Sequence, residues 1–302
     1  PPAKGDNHRA PPTARVGSSR SVFAAKIVNV VMTGVLGMCL AVTVGFLLLI
    51  LGYLVVNGVS ALDWDFFVKL PKPVGEKGGG LANAIYGSAL LVGLATLFAV
   101  PIGLLAAIFL VEYRSDRLGP VVRFVGELLG GVPSIVIGIF AYSLIVVPMH
   151  HFSAWAGSFA LGVMMIPIVM RASEEAMRLV PNSLRQASFA LGANHAQMVL
   201  RVSVPAALPA IITAVFLAIA RVAGETAPLI MTAFSNTYWP RSPNDATPSL
   251  PYYIYQYAMG PYDEWHRQAW AAALVLLVFV MVLNFGIRMI TGKRLVSAAG
   301  AD

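Results

Sequence analysis

The chain has 302 residues, 58% of them hydrophobic and 12% charged, with a mean hydropathy of +0.75. Too little polar surface is left for a water-soluble domain, and the composition describes a multi-span membrane protein. The formal charge of +7 is scattered over connecting segments without a basic helix face, which argues against nucleic acid; the single Cys39 sits in an apolar run, which excludes a disulfide framework.

Residues 1–25, rich in Pro, Arg, Ser and Gly, read as a disordered cytosolic tail and not as a signal peptide. Six apolar segments follow, at about 27–56, 84–111, 124–149, 155–178, 205–235 and 268–291. Each holds the roughly twenty apolar residues that a bilayer span requires. The spans make 26–294 one domain, and 295–302 a cytosolic C-terminal tail. The first run exceeds the hydrocarbon thickness and is expected to tilt or project. Between spans one and two, Gly75-Glu76-Lys77-Gly78-Gly79-Gly80 lacks the Gly-Lys-Ser/Thr ending of a nucleotide loop and reads as a flexible outside linker. Gly126-x3-Gly130 suits a close helix approach. His150-His151 has no nearby Cys, Asp or Glu to complete a metal site. The aromatic residues between Tyr238 and Trp265 read as an interfacial belt.

With the N-terminus in the cytosol, the inside segments carry fourteen Lys and Arg and the outside segments five. The positive-inside rule therefore places both termini in the cytosol, together with the polar interlude between the fourth and fifth spans. In that interlude Asn182 or Ser183 can cap a helix over Leu184–Leu191, and Gly192 supplies a left-handed turn that ends it. Asn194 can cap a second short helix from His195 to about Arg201, before Pro205 opens the next span. Leu184, Phe189, Leu191, Met198 and Val199 are its apolar knobs.

The spacing Gln186-Ala187-Ser188, three residues, Gly192, nine residues, Val202-x-Val204-Pro205 resembles the EAA loop of ABC-importer permeases. Gln186 stands where that pattern has glutamate, and Ser188 where it has the second alanine. Pro167-Ile168-Val169-Met170-Arg171, Arg221 to Pro228, Gly78-Gly79-Gly80 and Pro261 to Trp265 are similar to the A-type permeases of bacterial phosphate-specific transport systems. The resemblance implies an all-α membrane protein of six transmembrane helices, with the type I importer permease (MetI-like) architecture and a cytosolic coupling helix. It implies a plasma-membrane permease that forms a heterodimer with a C-type permease, two ATPase subunits and an extracytoplasmic phosphate-binding protein. The chain would carry inorganic phosphate, be non-catalytic, and leave ATP and Mg to the partner ATPase. An ABC permease for another oxyanion or small solute is the alternative. Coupling to the ATPase would fall to residues 184–201, namely Leu184, Gln186, Ala187, Phe189, Leu191, Gly192 and Met198.

Arg171 and Arg221 fall within or at the edge of spans, where an ionised side chain is costly unless it faces a cavity or a partner. Glu225 follows Arg221 by four residues, which predicts a shared helix face. Either the two neutralise each other, or Arg221 offers its guanidinium to phosphate oxygens while Glu225 orients it. Arg171, with Glu174 and Glu175 at three and four residues, could form a local ion pair near the cytosolic boundary or be a snorkelling side chain. The family resemblance associates an arginine at this place with phosphate passage.

Overall fold

Lipid offers no hydrogen bonds, so a chain this apolar must satisfy its backbone within each segment, and helices do so. The computed structural model describes residues 19–76, 78–113 and 117–299, with the side chains of 19–22, 24 and 287–299 excepted. Most of the expected N-terminal tail, Lys77 and the last three residues lie outside that set. Among the described residues there are thirteen α-helices and no strand.

In chain order the helices are α1 Ser19–Ala61, α2 Trp64–Val68, α3 Ala82–Glu112, α4 Leu118–Gly131 and α5 Ser134–Ala141, which passes through a π-helical turn, Tyr142–Val146, into α6 Val147–Met149. Next come α7 Ala154–Arg178, α8 Asn182–Ala190 and α9 His195–Met198, then a second π-helical turn, Val199–Ser203, leading into α10 Val204–Val222. The last three are α11 Ala227–Thr232, α12 Leu250–Ala258 and α13 Asp263–Ala299. Helix therefore begins at Ser19, inside the stretch expected as tail, and continues through most of the expected C-terminal tail.

Among the described residues, five helical stretches are long and apolar enough to cross a membrane: Ala25–Ala61, Ala82–Glu112, Ala154–Arg178, His195–Val222 and Asp263–Gly286. The third expected span, at about 124–149, is broken, with Leu118–Gly131 and Ser134–Met149 bent by 100° at the junction. The cause is local. Pro133 has no N–H to continue the ladder, and Val132, the residue before it, takes the extended conformation that a following proline favours (φ −70°, ψ 130°).

The chain divides into two units, Pro1–Tyr53 and Leu54–Asp302. In the first, the described side chains of α1 from Ala25 onward are exposed apart from a half-buried Leu51, so this stretch has no core of its own. In the second, α7 is the central helix. Leu161, Met165 and Val169 are fully buried with Leu91, Ala95 and Ala99 of α3, and with Ala218 and Val222 of α10. Phe98 and Phe159 stack at 6.3 Å, and the Ser158 hydroxyl donates to Leu91 O at 3.0 Å.

A second core gathers Phe66, Leu81, Tyr253, Tyr257, Ala271 and Ala272. Here the structure corrects two expectations. Tyr252, Tyr253 and Tyr257 are buried core residues rather than a belt, although Tyr238, Trp239 and Tyr255 remain exposed. The glycine segment is also pinned and not free: Gly78 N–H donates to Glu264 Oε1 at 3.3 Å, and Gln268 Nε2 donates to Gly78 O at 3.0 Å.

Candidate functional site

Met164 and Ile168, midway along α7, face the break between α4 and α5 across a cavity of about 480 Å³. Leu129, Gly130, Val132, Pro133, Ser134 and Ile137 form one wall, and Arg221 and Glu225 reach it from the end of α10. Arg221 and Glu225 thus line one cavity, but not from the one helix face that their four-residue spacing predicts. α10 ends at Val222, Gly224 N–H and Glu225 N–H turn back onto Arg221 O and Val222 O at 3.4 and 3.1 Å, and Pro228 restarts the chain in α11. The fifth span therefore closes before the expected residue 235, with α11 as a separate short helix. Among the described residues neither Arg221 nor Glu225 takes part in an ion pair. An exposed guanidinium without an ion-pair partner on the wall of an open cavity is an anion-attracting group, and the N-terminal turn of α5 adds the positive end of its helix dipole to the same wall.

Arg171 stands one turn beyond Ile168 on α7 and pairs with neither Glu174 nor Glu175. Its Nη2 lies 3.0 Å from Glu127 Oε1 on α4, with both side chains about half exposed. Glu174 instead accepts at Oε1 from Arg123 Nη2 at 2.6 Å and Arg178 Nη2 at 2.6 Å, and its side chain is 8% exposed. The Arg178–Glu174 pair has the four-residue spacing of one helix face, whereas nothing local signals the pairs of Arg171 with Glu127 and Arg123 with Glu174 across helices.

At the far end of α7 the polar interlude folds much as its residues dictate. Gly192 adopts φ +85°, the left-handed region that ends α8. Asn194 caps α9 by accepting from Gln197 N–H at 2.9 Å, while Gln197 Oε1 accepts from Asn194 N–H at 3.0 Å, a reciprocal capping box. Three details differ. The N-cap of α8 is Pro181, because Asn182 Oδ1 is occupied by Arg185 Nη1. α9 does not stop before the next span but runs through the π-helical turn into α10. Met198 and Val199 are buried, with Met198 Sδ accepting from the Ser203 hydroxyl at 3.2 Å, so neither is an available knob. Leu184, Gln186, Ala187, Phe189 and Leu191 are exposed, Leu191 at 89%.

Arg185 fastens this protrusion to the bundle. Its Nε and Nη2 donate to Glu112 Oε1 at 3.2 and 3.1 Å, Nη1 to Val180 O at 2.7 Å, and Nη2 to Met177 O at 2.9 Å. Sequence reasoning treated Arg185 only as a loop charge. Its partner Glu112 is 73 residues away, and nothing local betrays the pairing.

A broken span and intact spans around a charged cavity, with a short exposed helix hung from one end, define a membrane-embedded transport subunit. The chain belongs to the family of binding-protein-dependent transport system inner membrane components, which its residues 99–294 match. It is a multi-pass inner-membrane permease with the MetI-like fold. It is similar to the phosphate transport system permease protein PstA of Yersinia pestis, with 42% identity over 250 residues, 82% of this chain and 85% of that relative. PstA of Haemophilus influenzae is 42% identical over 262 residues, covering 86% of this chain and 93% of its own length. An inward-facing structure of the MetNI methionine ABC transporter shares the fold, with a TM-score of 0.60 at 21% identity over 70% of this chain and 95% of that one.

Proposed function

We propose that this chain is the permease subunit of an ATP-driven importer of inorganic phosphate, contributing half of the translocation path. The observation that carries the reading is Arg221, outside any ion pair, on the wall of the cavity at the break between α4 and α5. A guanidinium offers paired, planar donors to phosphate oxygens. Glu225 on the same wall supplies a negative charge that keeps the site from holding the anion too tightly, since a path must release what it admits. The likeness to phosphate permeases supports the choice of anion.

The arrangement of the complex follows the same reading. Both termini and α8 lie in the cytosol, where Leu184, Phe189 and Leu191 seat on an ATPase subunit that holds ATP and Mg. A C-type permease completes the path, and an extracytoplasmic binding protein delivers phosphate. ATP-driven closure is passed to the spans through residues 184–201.

The test is uptake of labelled phosphate by the complex of permeases, ATPase and binding protein in vesicles. Arg221→Gln should abolish uptake while the complex still assembles. Unimpaired uptake by that variant would leave Arg221 as a packing residue, and sulfate or molybdate uptake without phosphate uptake by the unaltered complex would overturn the substrate.

A further inference from the structure

One face of α4 carries Arg123, Gly126, Glu127 and Gly130, at the three- and four-residue spacing of a helical stripe. That stripe lies along α7. A Cβ on Gly130 would come 3.8 Å from Pro167 Cβ, one on Gly126 would come 2.1 Å from Met170 Cε, Glu127 meets Arg171, and Arg123 meets Glu174. The two charged contacts differ in kind. Glu174 is buried beneath two arginines, whereas Arg171 and Glu127 are 50% and 56% exposed. The first is a fixed clamp. The second is a screened pair that a solute can displace.

The displaceable pair is one turn from the cavity, for Ile168 and Gly130 line the wall while Arg171 and Glu127 lie three residues from them on the same helix faces. Resting on the phosphate-import reading, we infer that Glu127 is a gating residue: its carboxylate holds on Arg171 the place that a phosphate leaving the cavity must take. Carboxylate and phosphate oxygens address a guanidinium in the same way, so one can exchange for the other. While Glu127 is seated, Arg171 is neutralised and the next step of the path offers an anion no net positive charge. The Arg123–Glu174 clamp keeps α4 on α7, while the half-exposed Glu127 side chain can turn off Arg171 by a change of rotamer.

Removing the carboxylate while keeping its shape isolates this role. The permease–ATPase complex carrying Glu127→Gln, without nucleotide or binding protein, should retain labelled inorganic phosphate about fivefold more tightly than the unaltered complex, equivalent to about 1 kcal/mol. The gain acts through Arg171, so Arg171→Gln combined with Glu127→Gln should abolish it. Retention by Glu127→Gln equal to the unaltered complex, or a gain that survives in the double variant, would overturn the inference and leave the pair as a helix clamp. The unaltered full complex is assayed for phosphate uptake alongside. Failure of that control strikes the import reading itself, while success with an unchanged Glu127→Gln strikes only the gate.

Discussion

Replacing Arg185 with methionine removes the fastening of α8 while retaining much of the side chain's apolar stem. The pair is well buried, with 14% of the Arg185 side chain and 4% of the Glu112 side chain exposed. The variant leaves the Glu112 charge without a cation and deprives Val180 O, Met177 O and Asn182 Oδ1 of a donor. Breaking a buried pair from one side costs about 3–5 kcal/mol, or about two to four orders of magnitude in a local opening equilibrium. Hydrogen exchange of the α8 backbone amides in the purified complex reads that equilibrium directly, and nucleotide hydrolysis should lose its dependence on transport in parallel. Converting both partners, Arg185→Met with Glu112→Leu, removes the orphaned charge and should recover much of the loss. Unchanged α8 exchange in the single variant, or a double variant that opens as readily as the single, would refute the anchoring argument.

Leu191→Asp should leave the permease folded, because Leu191 is 89% exposed, yet reduce co-purification of the ATPase subunit; normal association would remove α8 as the docking element. Gly87→Ala should lower the Tm of the detergent-solubilised protein by an amount corresponding to about 1–3 kcal/mol, because its Cβ would fall 2.0 Å from Pro248 O, a backbone atom that cannot swing aside. Burial, and secondarily Tyr253, push the Tyr257 phenol above its ordinary value of 10.0. The unfolded chain then ionises first as pH rises, so the stability of the α12 region is intact below pH 10 and declines above it, which thermal unfolding on either side of pH 10 will show.

What was legible in the sequence was what local chemistry decides. Gly192 and the Asn194–Gln197 capping box act within four residues, so the turn between α8 and α9 could be read from the residue string. Hydropathy also located every span, but it is blind to direction. Residues 124–149 are apolar on both sides of Pro133, and so a span folded back by 100° looked like a straight one. The same blindness carried the fifth span through Gly224 and placed Glu225 on a helix that had already ended. Spacing alone offered Arg171 only Glu174 and Glu175 as local ion-pair partners, whereas its partner Glu127 comes from another helix. Partners such as Arg123 with Glu174 and Arg185 with Glu112 depend on which helices pack together, and no periodicity within either segment encodes that choice.

The absence of a break between α9 and α10 has a mechanical consequence. From His195 to Val222 the chain is one continuous helical strut of 28 residues, about 40 Å from end to end at the helical rise. One end is set by the Asn194 capping box beside the exposed α8, and the other carries Arg221 at the cavity wall. A displacement applied at the first end therefore reaches the second as thrust or tilt, with no slack loop to absorb it. The π-helical turn at Val199–Ser203 is the place where this strut can trade a residue of register, and rewinding it to α-helix would twist everything above it by about 100°, the angle between successive residues. A push on a surface helix would then arrive at the cavity as a rotation of Arg221.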